Sequence, residues 1–199
     1  MKPVIYLATQ NKHKIEEIKD LLGDLFDIHT VFELGLLIEL PETGNTLTEN
    51  SKQKAQFIAQ NYQLTCLADD SGLEVSALGG RPGVYSARYA GESKDDSANM
   101  QKLLGELHGI ADRSARFVTV LTFHHQGEFY TFEGEIIGQI VDTPRGEHGF
   151  GYDPIFQPNG FKKTFAEMTL AEKNQLAHRA RAMQKFKHFI ESSGVLHGN

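Results

Sequence analysis

Short apolar runs and helically spaced apolar positions take turns along this chain. Val4 to Ala8 is an apolar run that gives way to polar residues, the pattern of a buried strand. Behind it, Ile15, Ile18, Leu21 and Leu22 recur at helical spacing and predict an amphipathic helix. Asp27 to Val31 reads as a second strand. Thr46 with Glu49 three residues on has the form of a capping box, opening a helix that turns Ala55, Ile58 and Ala59 inward. Leu64 to Ala68 is another buried strand, which the polar run Asp69-Asp70-Ser71-Gly72 is expected to end. Gly72 to Gly91 is rich in glycine and turns. Ala98 to Leu107 reads as a helix stopping near Gly109. Arg116 to Phe123 and Glu128 to Val141 are rich in Val, Ile, Phe, Tyr and Thr, and Gln126-Gly127 between them predicts a hairpin. Thr169 with Glu172 is a second capping box, opening a C-terminal helical region with Leu176, Ala180, Met183, Phe186 and Ile190 inward. Strands interleaved with helices, plus a long hairpin, predict an α/β fold with a mixed twisted sheet and flanking helices. Residues 1–199 are expected to form a single domain of two lobes around a central cleft.

Composition narrows the class. Of 199 residues, 40% are hydrophobic, enough for a core, and the net charge is −6. An acidic balance argues against long nucleic acid as a partner, while a small phosphate ligand needs only local cations. Cys66 is the only cysteine, so an internal disulfide is impossible, and its apolar surroundings suggest a buried thiol. No apolar stretch approaches the ~20 residues of a membrane span. The opening residues lack the longer apolar region and cleavage site of a signal peptide, so the cytoplasm is the expected location. There is no internal repeat, low-complexity stretch or long linker.

Four constellations carry candidate chemistry. Thr9-Gln10-Asn11-Lys12-His13-Lys14 lies between the first strand and first helix, where unpaired amides and the positive dipole end favour phosphate. It lacks the glycines and the Lys-Ser/Thr pair of a Walker loop, and by itself it also reads as an ordinary polar turn. The acidic residues Glu42, Glu49, Asp69 and Asp70 suit Mg²⁺, which takes one or two carboxylates and keeps several waters. Glu49 can equally serve only as a cap. Adjacent strand residues face opposite ways, so Asp69 and Asp70 should not both reach a metal unless the strand has ended. Gly149-Phe150-Gly151-Tyr152-Asp153 lets backbone approach a flat ligand, with Phe150 able to stack and Asp153 able to accept hydrogen bonds; a tight turn would read the same way. On one straight helix, Lys173 would sit ~140° from His178 and ~120° from Arg179. Either the three are unrelated surface charges, or the helix breaks between them. His124-His125, at the hairpin end, faces two ways and does not suggest a chelate.

Taken in order, LATQNKHK, PETGNTLTENSKQKA, LADDSGLEVSALGGRPGVYSARYAG, GFGYDPIF and TLAEKNQLAHR resemble the inosine/xanthosine triphosphate pyrophosphatase family over nearly the whole chain. The resemblance implies an elongated α/β fold with a central cleft, a homodimer, Mg²⁺ as cofactor, and cleavage of purine nucleoside triphosphates between the α- and β-phosphates. It implies that Thr9, Gln10, Asn11, Lys12, His13 and Lys14 bind the triphosphate. Glu42 and Asp70 would hold the metal, with Asp70 also accepting the proton of the attacking water, and Ser71 would bind substrate. Phe150, Gly151, Tyr152, Asp153, Lys173, His178 and Arg179 would bind base and sugar-phosphate. The donors Lys173, His178 and Arg179 suit a 6-oxo group and reject a 6-amino group. Two residues depart from the family's pattern. Gln10 replaces a smaller Gly or Asn and is expected to crowd the phosphate loop. Ala177 replaces a Ser that would cap a helix beginning at His178. Rival readings are a pyrophosphatase for another nucleotide, such as a modified pyrimidine, and a nucleotide sensor without turnover.

Overall fold

The computed structural model describes residues 1–36 and 38–196. Six strands form one sheet in the order β2-β1-β3-β4-β5-β6. They are β1 (Val4–Ala8), β2 (Asp27–Thr30), β3 (Cys66–Val75), β4 (Ser114–His125), β5 (Glu128–Ile140) and β6 (Phe156–Pro158). Among the described residues five α-helices accompany them: α1 (Lys12–Leu22), α2 (Leu47–Tyr62), α3 (Asp96–Glu106), α4 (Leu170–Leu176) and α5 (His178–Ser193). β1 pairs in parallel with both β2 and β3, setting Ile5 beside Ile28 and Leu7 beside Leu67. β5 pairs antiparallel with β6, so the sheet is mixed, as expected. At that edge Gly138 is required, because a Cβ there would lie 2.4 Å from the Gln157 carbonyl oxygen.

By its contacts the chain divides into two compact units. The first is Met1–Asp70, Thr119–Gly134 and Arg179–Asn199; the second is Ser71–Val118 and Glu135–His178. Each has its own core. In the first unit, Ile5, Leu7 and Leu67 of the sheet pack with Ile15, Ile18 and Leu22 of α1 and with Met183 and Phe186 of α5. A neighbouring cluster joins Ala55 and Ile58 of α2 to Ala8, Cys66 and Ala68. The second unit packs Leu73, Val75, Phe117, Phe156 and Phe165 with Leu103 of α3. Each fully buried Leu, Ile or Phe contributes about 1.5–3 kcal/mol over leaving it exposed.

Local signals set the ends of the elements. Both capping boxes form. Thr46 accepts from the Glu49 amide at 3.1 Å while the Glu49 carboxylate accepts from the Thr46 amide, also at 3.1 Å, and Thr169 and Glu172 repeat the exchange. Gln126 and Gly127 both take positive φ (49° and 88°), as a two-residue hairpin turn compatible with strand twist requires. One boundary differs from expectation. β3 does not end at Asp69 but continues to Val75, because Leu73 and Val75 supply further inward apolar positions. Cys66 is fully buried, and burial pushes its thiol up to about 12. Among the described residues, no helix is long and apolar enough to cross a membrane.

Candidate active site

The first unit holds a strand–loop–helix start. β1 ends at Ala8, the chain passes through Thr9, Gln10 and Asn11, and α1 begins at Lys12. Asn11 is the N-cap: its backbone is extended and its side chain accepts from the Lys14 amide at 3.2 Å. The Thr9 hydroxyl accepts from the Asn11 amide at 3.3 Å, which tightens the loop. Lys12 and His13 are exposed in the first turn. Gln10 does not use its size as expected. Its amide donates to the carbonyls of Leu36 (3.3 Å) and Ile38 (3.0 Å), so the longer side chain is spent on a neighbouring segment.

Lys14 reaches from this turn to the end of the first unit's share of β3. Its ammonium pairs with the Asp69 carboxylate and lies 3.5 Å from the Asp69 carbonyl oxygen. Because β3 continues through Asp69 and Asp70, their side chains take opposite sides and different partners. Asp69 accepts from Arg179 Nε at 2.7 Å, and Arg179 also pairs with Glu17 of α1. Burial alone would push Asp69 up, but the Arg179 and Lys14 charges outweigh it and hold the carboxyl well below the usual carboxylate range. Arg179 is itself fully buried; Asp69 and Glu17 overcome that burial and raise it further, so it stays a cation.

Asp70 faces a different lysine. Lys54 Nζ, on α2, lies 3.0 Å from Asp70 Oδ1, 2.8 Å from Glu42 Oε1 and 2.7 Å from the Asp69 carbonyl oxygen. Burial pushes Asp70 up and Glu42 adds to the rise, while Lys54 and Lys14 pull against it; the balance is a raised carboxyl. Glu42 and Asp70, named from sequence as metal ligands, therefore converge on one ammonium. Among the described residues no three His, Cys, Asp or Glu side chains cluster as a metal cage. Two converging carboxylates are the donor set of a hard cation that fills its remaining positions with water and phosphate, so these residues fit Mg²⁺.

Lys54 and Glu17 were not among the sequence-derived site residues, although the signal was present. Lys54 stands seven residues after Leu47 and four before Ile58, on the buried face of α2, and only 3% of it is exposed. Glu17 lies beside Ile18 on the buried face of α1. A charge at a core-facing position marks a partner within the fold.

The second unit gathers the other candidates. Asp153 Oδ2 accepts from the Phe150 amide at 3.0 Å and from Lys173 Nζ at 2.7 Å. Gly149, at φ +78°, makes room for this, since a Cβ there would sit 2.1 Å from Asp153 Oδ2. Asp96 holds the Gly151 amide at 2.7 Å, and the Tyr152 hydroxyl donates to the Ser86 carbonyl at 2.8 Å. Lys173 Nζ lies 5.0 Å from the centre of the Phe150 ring, a cation–π contact. His178 stacks on Phe117 with ring centres 4.9 Å apart. Ser71, half-buried, opens this unit on β3.

The helix does break. α4 ends at Leu176, Ala177 is extended (φ −67°, ψ 159°), and α5 begins at His178. Lys173, His178 and Arg179 are all buried, so they are not scattered surface charges. They do not form one cluster within one unit, however: Lys173 and His178 belong to the second, while Arg179 belongs to the first and is engaged by Asp69 and Glu17.

Fold and site define a class, that of mixed-sheet α/β proteins in which a strand–loop–helix start adjoins buried carboxylates paired with lysine. The chain belongs to the Ham1 family, whose profile matches residues 5–189. It is 47% identical over 196 residues to a dITP/XTP pyrophosphatase of Bacillus subtilis, covering 96% of this chain and 98% of that protein. A dITP/XTP pyrophosphatase of Flavobacterium johnsoniae is 46% identical over 181 residues, 91% of this chain and 94% of the relative. Among solved structures, the Ham1 protein of Staphylococcus aureus superposes with a TM-score of 0.86 at 42% identity, covering 95% of this chain and 98% of that one. A HAM1 protein from Coxiella burnetii gives 0.87 at 37%, with the same coverage.

Proposed function

We propose that this protein is a nucleoside-triphosphate pyrophosphatase that hydrolyses non-standard purine nucleoside triphosphates, those of inosine, deoxyinosine and xanthosine, to the monophosphate and pyrophosphate. By removing these nucleotides from the cytoplasmic pool it keeps such purines out of DNA and RNA. The near full-length identity to proteins named dITP/XTP pyrophosphatase supports the substrate class. The observation that carries the chemistry is the convergence of Glu42 and Asp70 on Lys54, beside the Lys14 helix start.

In this reading the loop from Thr9 to Lys14 takes the triphosphate at the positive end of α1, with Lys14 supplying a full charge. Glu42 and Asp70 would hold Mg²⁺, which would offset the negative charge on phosphate oxygens. Asp70 accepts a proton from water as the water oxygen bonds to the α-phosphorus. The bond from that phosphorus to the α–β bridging oxygen breaks, and its electron pair leaves with pyrophosphate. Ser71 binds substrate. Lys173 and His178 offer donors to a 6-oxo base, Phe150 offers a stacking face, and Gly151, Tyr152 and Asp153 shape the loop around it. Arg179 contributes by holding Asp69, and through it Lys14. The protein works as a homodimer, which sedimentation analysis would test.

Pyrophosphate release from a panel of nucleoside triphosphates, with Mg²⁺ and with chelator, tests the reading. Inosine triphosphate should yield the monophosphate and pyrophosphate in one step, and only with the metal. Accumulating diphosphate with free orthophosphate would show that the wrong bond was assigned. Nucleotide binding without turnover would identify a sensor instead.

A further inference from the structure

The segment GVYSARYAG (residues 83–91) carries part of the family resemblance but no step of the proposed chemistry. The fold sets it against α3. Asn99 Oδ1 accepts from the Ala90 amide at 2.6 Å, its Nδ2 donates to the Ala87 carbonyl at 3.0 Å, and Lys102 Nζ donates to the Tyr89 carbonyl at 2.7 Å. Asp96 stands three residues ahead of Asn99, on the same side of α3. Its carboxylate turns elsewhere and accepts from the Gly151 amide at 2.7 Å, 55 positions along the chain. α3 does not need Asp96 as a cap, because Asp95 already accepts from the Ala98 amide at 2.8 Å. The helix dipole favours an acid in this first turn, but it does not aim one at Gly151. At the far end of that contact, Phe150 lies between two glycines of left-handed backbone, Gly149 at φ +78° and Gly151 at φ +61°. Such a loop is soft unless it is held. A carboxylate holds each peptide group flanking Phe150: Asp153 takes the Phe150 amide at 3.0 Å from within the loop, and Asp96 takes the Gly151 amide from outside it. Peptide groups are planar, so fixing the two beside Phe150 fixes both of its backbone torsions and the direction in which its ring leaves the chain.

We infer that Asp96 is a positioning residue for the base-binding loop: its carboxylate, anchored on α3, holds the Gly151 amide so that Phe150 is set for stacking before a purine arrives. The inference rests on the proposed role of Phe150 to Asp153 in binding the base. The Tyr152 hydroxyl on the Ser86 carbonyl is a second tie from the same loop to the frame of α3 and GVYSARYAG, which gives that segment its task. A loop ordered in advance loses less freedom on binding, so the gain falls on affinity for the base-bearing half of the nucleotide. It does not fall on the phosphate loop, which belongs to the other compact unit.

Calorimetric titrations with inosine monophosphate, and separately with pyrophosphate and Mg²⁺, test this on the wild type, Asp96→Ala, Asp96→Asn and Phe150→Ala. Asp96 is exposed, so Asp96→Ala should melt close to wild type. It should weaken inosine monophosphate binding about threefold to tenfold, the scale of one hydrogen bond, and leave pyrophosphate binding as in wild type. In turnover of inosine triphosphate the same factor should appear in KM, with kcat little changed. Asp96→Asn keeps an acceptor oxygen and should recover most of the lost affinity. A merely structural role would lower both affinities together or neither. Unchanged inosine monophosphate binding in Asp96→Ala, an equal loss for pyrophosphate, or no recovery in Asp96→Asn overturns the inference. Amide exchange in the wild type checks the contact without any variant: the Gly151 amide should be protected, and fast exchange there overturns it as well. If Phe150→Ala weakens inosine monophosphate binding while Asp96→Ala does not, only the positioning role falls. If Phe150→Ala binds it as tightly as wild type, the base-loop reading falls and this inference with it.

Discussion

Lys14 sits in the first turn of α1, where the helix dipole disfavours a cation, and two things offset that cost. Asp69 neutralises it within the fold, and the proposed triphosphate would do so again as charge moves onto the leaving pyrophosphate. Lys14→Ala should therefore keep the fold, with Asp69 still held by Arg179, and lower kcat/KM by roughly 10²–10³. Lys12→Ala, an exposed neighbour, should do far less; equal losses would reduce the loop to general electrostatics. The adjacent aspartates should separate stability from turnover. Asp69 is ionised because Arg179 and Lys14 require it, so Asp69→Asn should cost about 3–5 kcal/mol in urea unfolding, the scale of an orphaned buried charge. Asp70 is raised, which means that its charge is less favourable folded than unfolded. Asp70→Asn should leave stability equal or higher while lowering turnover by about 10²–10⁴. Reversed outcomes would exchange the roles assigned to the two carboxylates.

At the scale of the element, the break at Ala177 lets α4 aim Lys173 at Asp153 while α5 sends Arg179 to Asp69. Ala177 has the extended backbone of an N-cap but no side chain to fill that role. Ala177→Ser should stabilise α5 by about 1 kcal/mol, read as a raised Tm, provided that the hydroxyl reaches the amides of the first turn. No gain would mean that the first turn of α5 is already satisfied. The N-terminus of α4 carries its own pH dependence. Lys163 and the Thr169 amide hold Glu172 down to about 2 from its ordinary 4.5. A depressed carboxyl contributes stability above its unfolded value and loses it as pH falls toward the folded one. The capping box should therefore open between about pH 4.5 and pH 2. The Thr169 amide resonance should follow that titration by NMR; a midpoint near 4.5 would mean that the cap is not formed in solution.

For the molecule as a whole, each compact unit carries its own share of the proposed task, phosphate and metal chemistry in one and base reading in the other. The donors of Lys173 and His178 should reject a 6-amino group, which would face them with a second donor. The inosine and xanthosine triphosphates should exceed ATP in kcat/KM by on the order of a hundredfold or more. Lys173→Met should shrink that ratio, at a cost of about 3–5 kcal/mol in stability because it removes the ammonium paired with the buried Asp153. Equal rates on ATP in the wild type would show that position 6 is not read by these residues.

Features decided within a turn or two of chain were legible in the sequence, because their partners are near neighbours. The capping boxes at Thr46 and Thr169, the hairpin at Gln126-Gly127 and the apolar faces of α1 and α5 all formed where local pattern put them. Helix geometry also framed the choice at Lys173, His178 and Arg179, since a straight helix could not gather them. Which alternative held was a tertiary matter, as were the engagements of the charges. Asp69 meets Arg179 across 110 positions and Lys14 across 55, separations over which local pattern carries no information. Lys54 stands at a core-facing position of α2, but its partners Glu42 and Asp70 lie 12 and 16 positions away, and only the fold placed it between them. Gln10, read as a crowding residue, found the Leu36 and Ile38 carbonyls. Periodicity and turn chemistry set the elements of this protein. The pairing of its buried charges was decided only in the folded chain, because desolvation makes each ion choose a partner that only folding brings near.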